Sequence, residues 1–273
     1  MKKEDDYKLN FQLQKEEFER HKKDMLESIE YASLIQAALL PPTQQMKRFL
    51  GDHFILYLPR DIVSGDFYWI SHVDDWVYLA VVDCTGHGVP GALMSILGIS
   101  FLNEILSKKV FIKPNRVLNL LREKVMKALH QTGIHNESKD GMDIGLIAYN
   151  SSTFYLHYAG ANNFLHFIRD KSIHQVKGDR MPIGVSGIEE NSFTNHPLRM
   201  KRNDMIYLFS DGFVDQFGGS KGKKYKYGPF EELLFKHHTM PMEMQKEVLL
   251  DAFLDWKGDY DQVDDILVLG LKI

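Results

Sequence analysis

Trp76-Val77-Tyr78-Leu79-Ala80-Val81-Val82 runs directly into Asp83-Cys84-Thr85-Gly86-His87-Gly88. The first seven residues are apolar throughout, and most are β-branched or aromatic. Such a run reads as a strand covered on both faces. The fold must therefore supply a layer on each side of it. Outward from this strand, His53–Pro59 and Gly65–Ser71 before it read as strands, as do Met142–Tyr149, Phe154–Ala159, Asn163–Arg169, Asp204–Ser210 and Ile266–Ile273 after it. Val89–Leu106, Pro114–His130, Pro229–His238 and Met242–Trp256 read as helices. Strands in runs with helices in pairs predict an α+β fold with mostly antiparallel sheets, packed on each other and covered by helices. Gly218–Lys226, rich in glycine and lysine, is the only stretch expected to be loose.

Residues 7 to 40 contain neither glycine nor proline and stop at Pro41-Pro42. Phe11, Phe18, Met25, Ala32 and Leu39 recur every seventh residue, with Leu26, Ile29 and Ile35 beside them. That period suits a coiled-coil seam, and a single amphipathic helix lying on the domain is the other reading. The expected division is a regulatory, coiled-coil-like helix over 1–42 and a separate domain over 48–273.

The chain has 273 residues, 44% hydrophobic and 26% charged, with a formal net charge of −4. This balance gives no broad field to attract nucleic acid. A single cysteine, Cys84, rules out an internal disulfide and suits a reducing compartment. Met1 to Asp6 are too charged for a signal peptide, and no stretch reaches the ~20 apolar residues that span a bilayer. The expectation is a soluble cytoplasmic protein without membrane insertion.

Four acidic positions share one setting. Asp66 precedes Phe67-Tyr68-Trp69, Asp83 ends the buried strand, Asp211 follows Ile206-Tyr207-Leu208-Phe209-Ser210, and Asp264-Asp265 open the last strand. A carboxylate at the end of a buried strand needs compensation for its charge. Several such ends meeting at one sheet edge would offer hard oxygen ligands to Mg²⁺ or Mn²⁺. Other phosphate chemistries fit poorly. A cysteine-based phosphatase needs an arginine six residues after the thiolate, where Cys84 has Pro90, and no Gly-x-x-x-x-Gly-Lys-[Ser/Thr] loop is present. Asp83 to Pro90 looks a little like the glycine box of ATP-binding histidine kinases, but Asn115 and Asn119 follow it where those kinases carry asparagines before it.

Ser64-Gly65-Asp66-Phe67-Tyr68, Asp83-Cys84-Thr85-Gly86-His87-Gly88, Ala159-Gly160-Ala161-Asn162-Asn163, Met181-Pro182-Ile183-Gly184, Ser210-Asp211-Gly212 and Asp264-Asp265-Ile266 occur in the order seen in SpoIIE/RsbU-type phosphatases of the metal-dependent protein phosphatase (PPM) superfamily. Ile29-Glu30-Tyr31-Ala32, Ile35-Gln36 and Leu40-Pro41-Pro42 resemble the helix preceding such domains, so the likeness spans Ile29 to the C-terminus. The resemblance implies an αββα sandwich preceded by a long N-terminal helix, with two Mn²⁺ or Mg²⁺ ions at one edge. By the same resemblance, Asp83 would bridge both ions and the Cys84 carbonyl would face the second. Asp211 with Asp264 or Asp265 would hold the first, and Asp66 would serve the second directly or through water. Asp66, Asp83 and Asp211 are thus the expected catalytic set, with water attacking phosphorus directly.

Departures from the family pattern are Leu267, where threonine is common, and Ala161-Asn162-Asn163, where many members carry a histidine. Open alternatives are a third metal at Asp143 against a surface turn, and substrate contact at Arg60 against a solvated loop. His87 could shuttle a proton or simply build its turn. The resemblance implies a phosphoserine/phosphothreonine protein substrate, a STAS-type anti-sigma-factor antagonist, and the helical N-terminus suggests control by an upstream sensor or a homodimer whose helices press on the catalytic domain. A catalytically silent PPM-fold signalling module and an ATP-binding kinase-like domain are the competing functions.

Overall fold

The computed structural model describes residues 2–132, 139–185 and 191–273. It opens with α1 (Lys2–Leu39) and α2 (Thr43–Leu50), followed by β1 (His53–Leu58), β2 (Phe67–Val73) and β3 (Trp76–Cys84). Helices α3 (Gly88–Ile105) and α4 (Pro114–Ala128) come next, then β4 (Met142–Asn150), β5 (Tyr155–Ala161), β6 (Phe164–Arg169), β7 (Ser172–Lys177), β8 (His196–Arg199) and β9 (Met205–Phe209). The short α5 (Gly212–Asp215), β10 (Phe217–Gly218), β11 (Lys223–Lys224), α6 (Tyr227–His237), α7 (Met242–Lys257) and β12 (Ile266–Lys272) complete the chain. Two five-stranded sheets form, ordered β1-β12-β9-β6-β7 and β2-β3-β4-β5-β8, with every neighbouring pair antiparallel.

The period-two geometry of a strand sorts the apolar residues into three cores. On β3, Val77, Leu79 and Val81 point between the sheets. Tyr78, Ala80 and Val82 of the same strand point the other way, onto α3 and α4. On β12, Leu267, Leu269 and Leu271 enter the inter-sheet core, while Ile266 and Val268 meet α5, α6 and α7. The αββα sandwich expected from the resemblance is the fold observed.

Among the described residues, α3 is the one helix long and apolar enough by composition to cross a membrane, which the sequence reading did not anticipate. Here Ala92, Met94, Ser95, Ile99 and Leu102 on it are buried, so it serves as a core helix. The stretch Gly218–Lys226, expected to be loose, is instead an anchored hairpin of β10 and β11. Gly218 packs so closely on Trp256 that a Cβ there would strike its carbonyl oxygen.

Helix α1 does not lie along the sandwich. Phe11, Phe18 and Met25 are each more than 60% exposed, and Gln36 is the buried residue that ties the helix down. Its amide group donates to the Ser64 carbonyl (2.6 Å) and Ser95 Oγ (2.8 Å), and accepts from the Ser64 N–H (3.0 Å).

Leu269 is fully buried between the sheets, so Leu269→Ala removes contacts that flanking strands cannot refill. The expected loss is about 2–5 kcal/mol, read from the urea midpoint at unchanged slope. A loss under about 1 kcal/mol would contradict this account of the inter-sheet core.

Candidate metal centre

Antiparallel pairing brings five strand ends to one edge. Asp83, next to last in β3, lies directly across from Asp143, the second residue of β4. Phe67 pairs with Val82, which sets Asp66 beside the same end of β3. In the other sheet Phe209 pairs with Val268, so Asp211, two residues beyond β9, faces the start of β12 and Asp264. Gly212 is needed here, because a Cβ would collide with the Asp265 carbonyl oxygen.

Asp83, Asp143, Asp211 and Asp264 line a cavity of about 210 Å³ together with Cys84, Thr85, Gly86 and His87. A narrower cleft continues from it past Asn162, Phe164 and Tyr227. Asp66 sits behind the cavity, 2% exposed, and its Oδ2 has no hydrogen-bond partner. The Cys84 side chain is buried under α3, and that burial pushes its thiol well up, away from thiolate chemistry.

Electrostatics follow from this crowding. Burial first, then the neighbouring carboxylates, holds Asp66 and Asp83 well above the usual carboxylate range. Burial also raises Asp211, with Asp215 and Asp264 adding to the effect and Lys224 opposing it. Asp264 is raised by burial and by Asp265, against the Asp265 N–H, His87 and Arg60. Asp143 is pushed up to about 6 by burial, opposed by the Asn162 amide that donates to its Oδ1 at 3.0 Å.

Adjacent aspartates take different work. Asp265 accepts from the Arg60 N–H (2.7 Å) through one oxygen and from the Gly65 N–H (2.8 Å) through the other. It therefore clamps loop 60–65 and is not among the cavity-lining residues. The Asp264 carboxylate accepts from the Asp265 N–H (2.8 Å) through Oδ1 and lines the cavity. Arg60 turns its guanidinium to the Val263 carbonyl at 2.9 Å.

Three contacts carried no clear signal in the sequence. Asp61 Oδ2 lies 2.7 Å from His87 Nδ1, at the cavity rim. Asn162, with φ of 49° in the left-handed region, holds Asp143. Gln36 grips Ser64, two residues before Asp66. The family-like Ile35-Gln36 pair was the one hint among these.

Carboxylate oxygens clustered beneath a polar cavity, one of them buried and unpartnered, are the donor set that hard divalent cations require. Among the described residues no three His, Cys, Asp or Glu side chains are already gathered tightly enough to hold an ion.

A carboxyl whose folded pKa is raised supports the fold fully below its unfolded value of about 3.9, and that support is lost as pH rises through the folded value. Asp83→Asn removes such a group. With chelator present, the variant should out-stabilise the parent increasingly from about pH 4 upward in thermal melts. A parent more stable at every pH would refute the picture of repelling carboxylates.

Comparison with known proteins gives the family. The family model for Stage II sporulation protein E (SpoIIE) matches residues 74–273. The phosphoserine phosphatase RsbU of Bacillus subtilis is 23% identical over 247 residues, covering 89% of this chain and 69% of RsbU. The SiaA-PP2C domain of Pseudomonas aeruginosa superposes with a TM-score of 0.84 at 32% identity, covering 92% of this chain and 98% of that one. The catalytic domain of the serine/threonine protein phosphatase PstP, solved with two manganese ions, shares the fold at a TM-score of 0.57 and 14% identity, covering 81% of this chain and 96% of that one. The chain belongs to the SpoIIE family of PP2C-type protein serine/threonine phosphatases.

Proposed function

We propose that this phosphatase removes phosphate from a phosphoserine or phosphothreonine of a bacterial signalling partner, a STAS-type anti-sigma-factor antagonist, by direct attack of water. The supporting observation is the cluster of Asp83, Asp211, Asp264 and Asp143 around one cavity with the unpartnered Asp66 Oδ2 behind it. Asp83, Asp211 and Asp264 would hold two Mn²⁺ or Mg²⁺ ions, with the Cys84 carbonyl and Asp66 completing the set. Bound there, such ions lower the pKa of water and neutralise phosphoryl oxygens.

The chain's own residues supply the rest. Asp265 fixes loop 60–65, and with it the residue preceding Asp66, through two backbone N–H groups. Asp61 orients the His87 ring at the rim. Asn162 sets the direction of the Asp143 carboxylate, whose role as a third, weaker ion site stays part of this proposal. The buried thiol of Cys84 suits a reducing cytoplasm.

Residues 1–42 form the regulatory part of the proposal, ahead of a catalytic domain over 48–273. The seven-residue seam of Phe11, Phe18, Met25 and Leu39 is exposed along α1, as a helix awaiting a second copy would be. Gln36 joins that helix to the backbone of Ser64, whose hydroxyl in turn accepts from the Asp66 N–H at 3.0 Å. Movement of the helix by an upstream sensor would thus reach Asp66.

Hydrolysis of p-nitrophenyl phosphate with Mn²⁺ should be readily measured, and should fall to background with chelator or in Asp211→Asn. Metal-independent turnover, or full activity in the variant, would overturn the assignment. Deleting residues 1–40 should halve the sedimenting mass and raise the Mn²⁺ needed for half-maximal rate by about tenfold, as loss of groups supporting a ligand does. Unchanged mass and unchanged metal response would remove the regulatory role.

A further inference from the structure

The hairpin after the active-site aspartate presents four lysines. Lys221, Lys223, Lys224 and Lys226 are all exposed, within six residues of a chain whose net charge is −4. Lys224 Nζ lies 2.7 Å from Asp215 Oδ2 and is the cation that draws Asp211 downward. The side chains of Lys221, Lys223 and Lys226 make no ion pair among the described residues. Tyr227, next in sequence, lines the cleft shared with Asp83, Asp143 and Asp211. The cationic hairpin therefore borders the acidic cavity.

Its backbone is held rigidly. The Gly219 N–H donates to the Trp256 carbonyl (2.8 Å), and Trp256 Nε1–H donates to the Gln216 carbonyl (3.0 Å). The Tyr225 N–H meets the same Gln216 oxygen at 3.0 Å, and the Lys226 N–H meets the Val214 oxygen at 2.7 Å. The Tyr225 ring stands edge-on to Trp256, with centroids 5.3 Å apart. Lys226 itself is kept at φ 75°, in a region a lysine seldom adopts. A merely solvated loop needs neither this anchoring nor that conformation.

Charge decides what the hairpin fits. Two divalent ions in the cavity would largely neutralise its carboxylates and draw in the phosphate itself, which leaves acidic residues flanking the phosphate to be met by charge outside the cavity. The exposed, unpaired lysines of the hairpin are the cations placed to meet such residues and speed encounter. Resting on the phosphatase reading, we propose that the 217–226 hairpin docks the phosphoprotein substrate through acidic residues flanking its phosphorylated serine or threonine.

The test uses the full chain with Mn²⁺ and two synthetic phosphoserine peptides, one flanked by aspartate and glutamate, the other by glycine and serine. The acidic peptide should show a kcat/KM about five- to tenfold higher, an advantage that shrinks with added salt. Lys221→Glu, Lys223→Glu and Lys226→Glu combined should erase it while p-nitrophenyl phosphate turnover and the circular dichroism spectrum stay unchanged. Equal turnover of both peptides, or a preference that survives the triple variant, overturns the proposal. If neither peptide nor p-nitrophenyl phosphate is hydrolysed, the phosphatase reading itself fails. Fluorescence anisotropy of labelled peptides then reads the hairpin alone, with loss of acidic preference in the variant supporting it and no preference overturning it. Binding to phosphatidylserine vesicles that depends on these lysines, without peptide discrimination, assigns them to a membrane surface and also overturns it.

Discussion

Carboxylates gathered at one sandwich edge repel each other, and much of the architecture exists to keep them together. Asp83 and Asp143 are direct cross-strand neighbours, an arrangement that disfavours pairing when both are charged. The opposing force is the apolar interior. Leu79, Val81, Leu267 and Leu269 bury completely between the sheets and fix strand register behind the acids. Asp265 adds a local clamp, its carboxylate satisfied by two backbone N–H groups of loop 60–65. Gly212 lets the turn carrying Asp211 close onto β12. Stability made elsewhere thus maintains a locally unfavourable site, as functional sites commonly require.

The layered fold was legible because its central strands are covered on both faces. Runs such as Trp76–Val82 and Ile266–Leu269 have few other readings. Elements at the margins were not legible. The edge strand β7 carries Ser172, His174, Gln175 and Lys177, which give no apolar alternation. Strand β8 contains Pro197, which weakens any strand signal although an edge tolerates it. Helix α2 follows Pro41-Pro42 and buries only Met46. The hairpin at 217–226 looked loose because glycine and lysine are poor strand formers, yet Trp256, thirty or more residues on, anchors it.

At the site, Asp83, Asp211 and Asp264 could be found from strand ends, and the structure gathers them around one cavity with Asp66 behind. The choice between Asp264 and Asp265 could not be read, because neighbouring residues at a strand start face different surroundings and only the tertiary contacts separate them. Asp61 and Asn162 were equally hidden. Their partners His87 and Asp143 lie 26 and 19 residues away, with no spacing rule to connect them. Gln36 and the lysine hairpin were hidden in the same way, since one ties a distant helix to the Ser64 backbone and the other sets Lys224 beside Asp215.

The most direct test of the account is anomalous diffraction from crystals of the full chain grown with Mn²⁺. The account predicts two strong peaks at the sandwich edge, within bonding distance of carboxylate oxygens of Asp83, Asp211 and Asp264. Diffraction showing no manganese among these carboxylates, with the ion bound elsewhere or not at all, would contradict it.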